Sequence, residues 1–94
     1  MERQEKLENI KEYLRVRKDV ANADGQYNEA MKQYALGCKT AINEIEELLD
    51  DYEKLEKCVL IECNTFDRDH NITSFNCGYI HIYDQVRKEI KRKY

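Results

Sequence analysis

At 94 residues the chain has the size of one domain, and 37% charged residues without proline or tryptophan favour long helices over a β-sandwich. No run approaches the ~18 consecutive apolar residues of a membrane span, and the charged N-terminus lacks an apolar signal core, so a cytoplasmic protein is expected. The net charge of −3 hides an asymmetry: an acidic middle and a basic end.

Residues 3–22 predict a first helix, with Leu7, Ile10, Leu14 and Ala21 on one stripe and Tyr13 and Val20 beside it. Asn22-Ala23-Asp24-Gly25 is the break, where Gly25 can take the positive φ that ends a helix. A longer pattern follows over residues 26–57. Tyr27, Met31, Tyr34, Cys38, Ala41, Ile45, Leu48, Tyr52, Leu55 and Val59 alternate steps of four and three, which is an a/d heptad seam. As one helix it would be a rod of roughly 50 Å. Gly37 interrupts its propensity and marks a kink or a close crossing. The first helix is too short to cover the whole seam, leaving the rest to the C-terminal segment, a second copy or a partner.

The character changes at Cys58. Val59-Leu60-Ile61 suits a short strand or a last helical turn, and residues 64–76 read as a polar loop anchored by Phe66 and Ile72. Tyr79, Tyr83, Val86 and Ile90 then predict a C-terminal helix over residues 77–93, capped by Ser74 or Asn76. Tyr79 to Tyr83 also alternates as a strand would. The expected architecture is mainly α and a single domain over 1–94. It is a helical hairpin with one long heptad-patterned helix, followed by a small zinc-stapled module over residues 58–81 and the final helix.

The staple rests on Cys58, Cys63, Cys77 and His81, spaced C-x4-C-x13-C-x3-H. In a reducing compartment, cysteines serve more often as thiols or metal ligands than as disulfides. Cys77 and His81, four apart, share a helix face. Over residues 58–81 the chain resembles a CCCH-type zinc finger, with a spacer one residue longer than the usual range. His70, midway between Cys63 and Cys77, is an alternative to Cys58. Four protein ligands would make the Zn2+ structural, with no open position for catalysis. Cys38 sits in the seam and reads as core.

The acidic run Glu44, Glu46, Glu47, Asp50, Asp51 and Glu53 is either a solvated face or a surface that fits a basic groove on a partner. The basic end, Arg87, Lys88, Lys91, Arg92 and Lys93, suits phosphate contacts or a helix C-terminus. Arg68 is the only Lys or Arg between Cys58 and His81, which speaks against base reading. No Gly-rich loop or nucleophile–base pair points to an enzyme.

In size, acidic helix and Lys-, Glu-, Ile-, Asn- and Tyr-rich usage, the chain looks like the small phage-encoded anti-CRISPR proteins that block type II-A Cas9. That resemblance implies a non-enzymatic inhibitor in the host bacterial cell, docking on the effector and blocking target DNA loading or cleavage. The same features leave two other readings open. One is a zinc-containing nucleic-acid-binding regulator. The other is a coiled-coil adaptor that dimerises through its seam.

Overall fold

The computed structural model describes residues 2–24, 28–68 and 71–92. Within them lie four helices: α1 (Glu2–Asp24), α2 (Glu29–Glu46), α3 (Tyr52–Arg68) and α4 (Ser74–Lys91). The protein is mainly helical, and no strand occurs among the described residues. Gly25 and Tyr27, the predicted helix stop and the first residue of the seam, lie outside them, as do His70 and Lys93.

Helix α1 buries the expected stripe: Ile10, Leu14 and Ala21 are in the core, with Leu7 packed against it. Arg17 falls on the same stripe, at the helical step between Leu14 and Ala21, and is half-buried. Helix α2 starts at Asn28, whose side chain accepts a hydrogen bond from Met31 N at 2.9 Å. It runs back along α1, so that Lys18 reaches Glu46 at 3.0 Å and the two helices form a hairpin.

The single long helix expected over 26–57 is two helices. The ladder of α2 tightens at Glu46, with Leu48 N bonding Ile45 O at 2.9 Å and Asp51 N bonding Leu48 O at 3.2 Å. Asp51 then caps α3, its carboxylate accepting from Lys54 N at 3.3 Å. The break needs neither Gly nor Pro. Dividing the helix places Asp50, Asp51 and Glu53 at a helix N-terminus, where the dipole favours negative charge. It also lets both halves of the seam reach one core. A straight rod of roughly 50 Å would overhang a molecule 42 Å in its longest dimension.

From Tyr34 to Val59 the seam is covered by the chain itself, whereas Met31 is exposed. Cys38, Ala41, Ile45, Leu55 and Val59 are buried, and Leu48 and Tyr52 pack at the edge of the core. Leu55, Val59 and Cys63 form the buried face of α3, so residues 58–63 are helix rather than strand. Helix α4 begins earlier than expected, at Ser74, and its cap is Thr73, whose hydroxyl accepts from Asn76 N at 3.0 Å. Residues 79–83 are likewise helical, and Ile82, Tyr83, Val86 and Ile90 complete the core.

Helices α2 and α4 cross at a pair of glycines. A Cβ on Gly37 would lie 2.9 Å from the Phe75 carbonyl carbon and from Tyr79 N, and closer still to the Phe75 oxygen. A Cβ on Gly78 would meet the Tyr34 carbonyl group and come within 3.2 Å of Cys38 N. Both positions therefore require a residue without a side chain. At the crossing the Cys38 thiol donates to Gly78 O at 3.4 Å. Gly37 thus marks the close crossing rather than a kink.

Candidate functional site

Cys58, Cys63, Cys77 and His81 are not brought together. Cys58 and Cys63 both lie on α3, five residues apart, which sets them about 140° apart around the helix axis. Cys63 faces the core at 1% exposure, and burial pushes its thiol pKa up. Cys77 is exposed on the first turn of α4. One turn on, the half-buried His81 ring lies 6.4 Å from that of Tyr34. Burial, with the nearby Arg17 charge second, holds the imidazole pKa below its usual value. Among the described residues no three His, Cys, Asp or Glu side chains converge to hold a metal ion. The expected zinc-stapled loop or strand over 58–81 is instead the body of α3 and the start of α4, and the four ligands do not fit one tetrahedral ion. The alternative ligand His70 lies outside the described residues.

The acidic run divides into structural and unengaged carboxylates. Glu44 Oε1 accepts hydrogen bonds from Tyr79 and Tyr83, each at 2.7 Å, tying α2 to α4. Glu62 of α3 stands 3.3 Å from the same Tyr79 hydroxyl. Burial first, and the bonds to Glu44 next, push both phenol pKa values up. Glu46 pairs with Lys18, and Asp51 caps α3. Glu47, Asp50 and Glu53 remain exposed at the α2–α3 corner, and their carboxylates have no ion-pair or hydrogen-bond partner among the described residues.

Sequence pattern alone does not single out the tyrosine–carboxylate cluster. Its signal was present: Tyr79 and Tyr83 are one turn apart, and Glu44 sits three residues after the seam position Ala41. The basic end, by contrast, is largely matched internally. Arg87 bonds Asp84 and lies 3.6 Å from Asp67; Lys88 lies 3.6 Å from Asp84, and Arg92 3.5 Å from Glu89.

No described helix is long and apolar enough to cross a membrane. Compared with protein-family models, curated proteins and solved structures, the chain gives no match.

Proposed function

We propose that the chain is a non-enzymatic binding protein that presents its acidic α2–α3 corner to a basic surface on a partner protein. The observation that carries this is the division of the run. Glu44, Glu46 and Asp51 serve the fold, whereas Glu47, Asp50 and Glu53 project from one corner without internal partners. Such a corner steers a positively charged partner and fixes its register. The chain's general likeness to phage anti-CRISPR proteins makes a Cas9–guide complex the partner to test, with occlusion of target DNA as the mechanism.

Two features favour this reading over the others. From Tyr34 to Val59 the heptad seam is packed within one chain, so dimerisation through that stretch would require opening the core. The cations Arg87, Lys88 and Arg92 already lie beside carboxylates, which lowers their value as a phosphate-binding face.

The test is a titration of the purified chain into guide-loaded Cas9, followed by calorimetry and target cleavage. A one-to-one complex is expected. The triple variant Glu47→Gln, Asp50→Asn, Glu53→Gln should weaken it about ten- to a hundredfold, with unchanged helical circular dichroism. No complex, or one indifferent to these substitutions, would overturn the proposal.

A further inference from the structure

Helices α1 and α2 meet along a groove whose walls repeat at helical spacing. On α1 the wall is Lys11, Arg15, Lys18 and Asn22, in steps of four and three; on α2 it passes through Lys32, Leu36 and Lys39 to Glu46 and Leu49. Two hollows lie along it, one of about 240 Å3 lined by Leu14 and Leu49 and one of about 390 Å3 lined by Ala35 and Leu36. They follow one another along the same helices: Lys18 and Asn22, one turn apart on α1, line one each. Leu14 and Ala35 are buried, Leu49 is half-buried and Leu36 is 49% exposed. Hollows this small stand near or below the low end of the ~300–1,000 Å3 of small-molecule pockets, and suit the side chains of a docked segment better than an enclosed ligand.

The charge of the groove opposes that of the molecule. The chain carries −3 overall, yet Lys11, Arg15, Lys18, Lys32 and Lys39 line the two hollows against the carboxylates of Glu29 and Glu46. The ammonium groups of Lys11, Lys32 and Lys39 have no ion-pair or hydrogen-bond partner among the described residues. Arg15 is held by Glu12 on its own helix, and Lys18 by Glu46 across the groove at 3.0 Å. Both pairs are exposed, and such pairs are weak enough for an incoming carboxylate to compete. A cleft lined mainly by one sign of charge over apolar walls concentrates its field on the ligand it receives.

We propose that the α1–α2 groove is a docking site for an acidic amphipathic helix of a partner protein. Its apolar side chains, at i, i+3, i+4 and i+7, seat on Leu14, Leu36 and Leu49, and carboxylates on its flanks meet Lys11 on one wall and Lys32 and Lys39 on the other. At ~1.5 Å per residue the wall from Lys32 to Leu49 is roughly 25 Å long, the length of a helix of about 17 residues. The apolar lining selects this occupant over a nucleic-acid strand. No aromatic ring lines either hollow to stack a base, and three leucines offer a phosphate backbone no contact. The surface is distinct from the acidic corner: Glu47, Asp50 and Glu53 do not line it, and it takes a partner of the opposite charge.

The experiment follows the fluorescence anisotropy of a labelled synthetic peptide as the full chain is added at fixed ionic strength. The peptide is a helix-former of about 17 residues, with leucine at i, i+3, i+4 and i+7 and glutamate on its flanks. Saturable binding with a Kd on the order of 10 µM is expected. A peptide of the same composition with the leucine stripe scrambled should bind about tenfold more weakly, which separates docking from attraction of charge alone. Lys11→Glu combined with Lys39→Glu should weaken binding about tenfold or more, and Leu36→Asp, at an exposed position, should do so with the helical circular dichroism unchanged. Glu47→Gln, Asp50→Asn, Glu53→Gln at the acidic corner should leave it undiminished. Absence of saturation, equal binding of the scrambled peptide, indifference to the groove substitutions, or tighter binding of a DNA duplex would overturn the proposal. So would a dimer in light scattering that Lys11→Glu with Lys39→Glu dissolves, because a second copy would then fill the groove.

Discussion

Gly78→Ala tests whether the α2–α4 crossing sets the dimensions of the core. In an ordinary helix the change would stabilise, because alanine is favoured over glycine by about 1 kcal/mol. Here the new methyl group meets the Tyr34 carbonyl and Cys38 N, at 2.9 Å from the carbonyl carbon and 3.2 Å from the nitrogen. These are backbone atoms that cannot rotate aside, so the helices must separate by about 1 Å, enough to forfeit a quarter to a half of the dispersion attraction across the contact. Ile82 and Tyr83 lose packing, and the Cys38 thiol loses Gly78 O. Overpacking of this kind costs about 3 kcal/mol, leaving a net loss of about 2 kcal/mol after the gain in propensity. Urea unfolding followed at 222 nm should show the lower midpoint, and the melting temperature should fall by about 8–16 °C. Gly37→Ala should behave alike, and the double variant should cost less than the sum, since one displacement accommodates both methyl groups. A Gly78→Ala protein as stable as the parent, or more so, would refute the reasoning.

Other substitutions address the polar contacts. Glu44→Ala leaves the buried Tyr83 hydroxyl without its acceptor and should cost about 1–3 kcal/mol in chemical denaturation, although Glu44 itself is exposed. Asp51→Ala removes the cap of α3 and should cost about 1 kcal/mol, whereas Asp50→Ala beside it should be near neutral. His81 has a folded pKa below 6.5, so the unfolded chain binds its proton first. Its contribution is complete above that pH and is lost as pH falls below it, and a pH series of unfolding midpoints should flatten there in His81→Gln. Tyr13 is pushed the other way, up to about 12, so its contribution holds below pH 10 and is lost as pH rises towards about 12. Tyr13→Phe should reduce the alkaline slope.

The helical class and most of the core were legible because burial follows a 3.6-residue period. Leu14, Ile45, Leu55, Val59 and Ile90 are all read correctly from spacing. The same period concealed the turn at residues 47–51. A heptad seam continues in register whether the helix runs on or folds back on its own core, and the stop signal is a capping aspartate rather than Gly or Pro. The cysteine spacing misled for a related reason. C-x4-C suits a metal ligand pair in a turn, but α3 extends through it and turns Cys58 and Cys63 to different sides. Composition marked the acidic run, yet only tertiary contacts separate Glu44, which holds two tyrosines, from Glu47, which holds nothing.

The glycine crossing also bears on how the molecule opens. By joining α2 directly to α4, it closes the chain around α3, which then packs chiefly on α4 and is not needed to hold α1, α2 and α4 together. Helix α3 is therefore the natural unit of partial unfolding, able to detach and return while the rest stays assembled. Each such excursion would expose Leu55, Val59 and the otherwise inaccessible Cys63. With reclosing faster than labelling, the rate at which Cys63 meets a thiol reagent reports the opening equilibrium of this one helix rather than that of the whole fold.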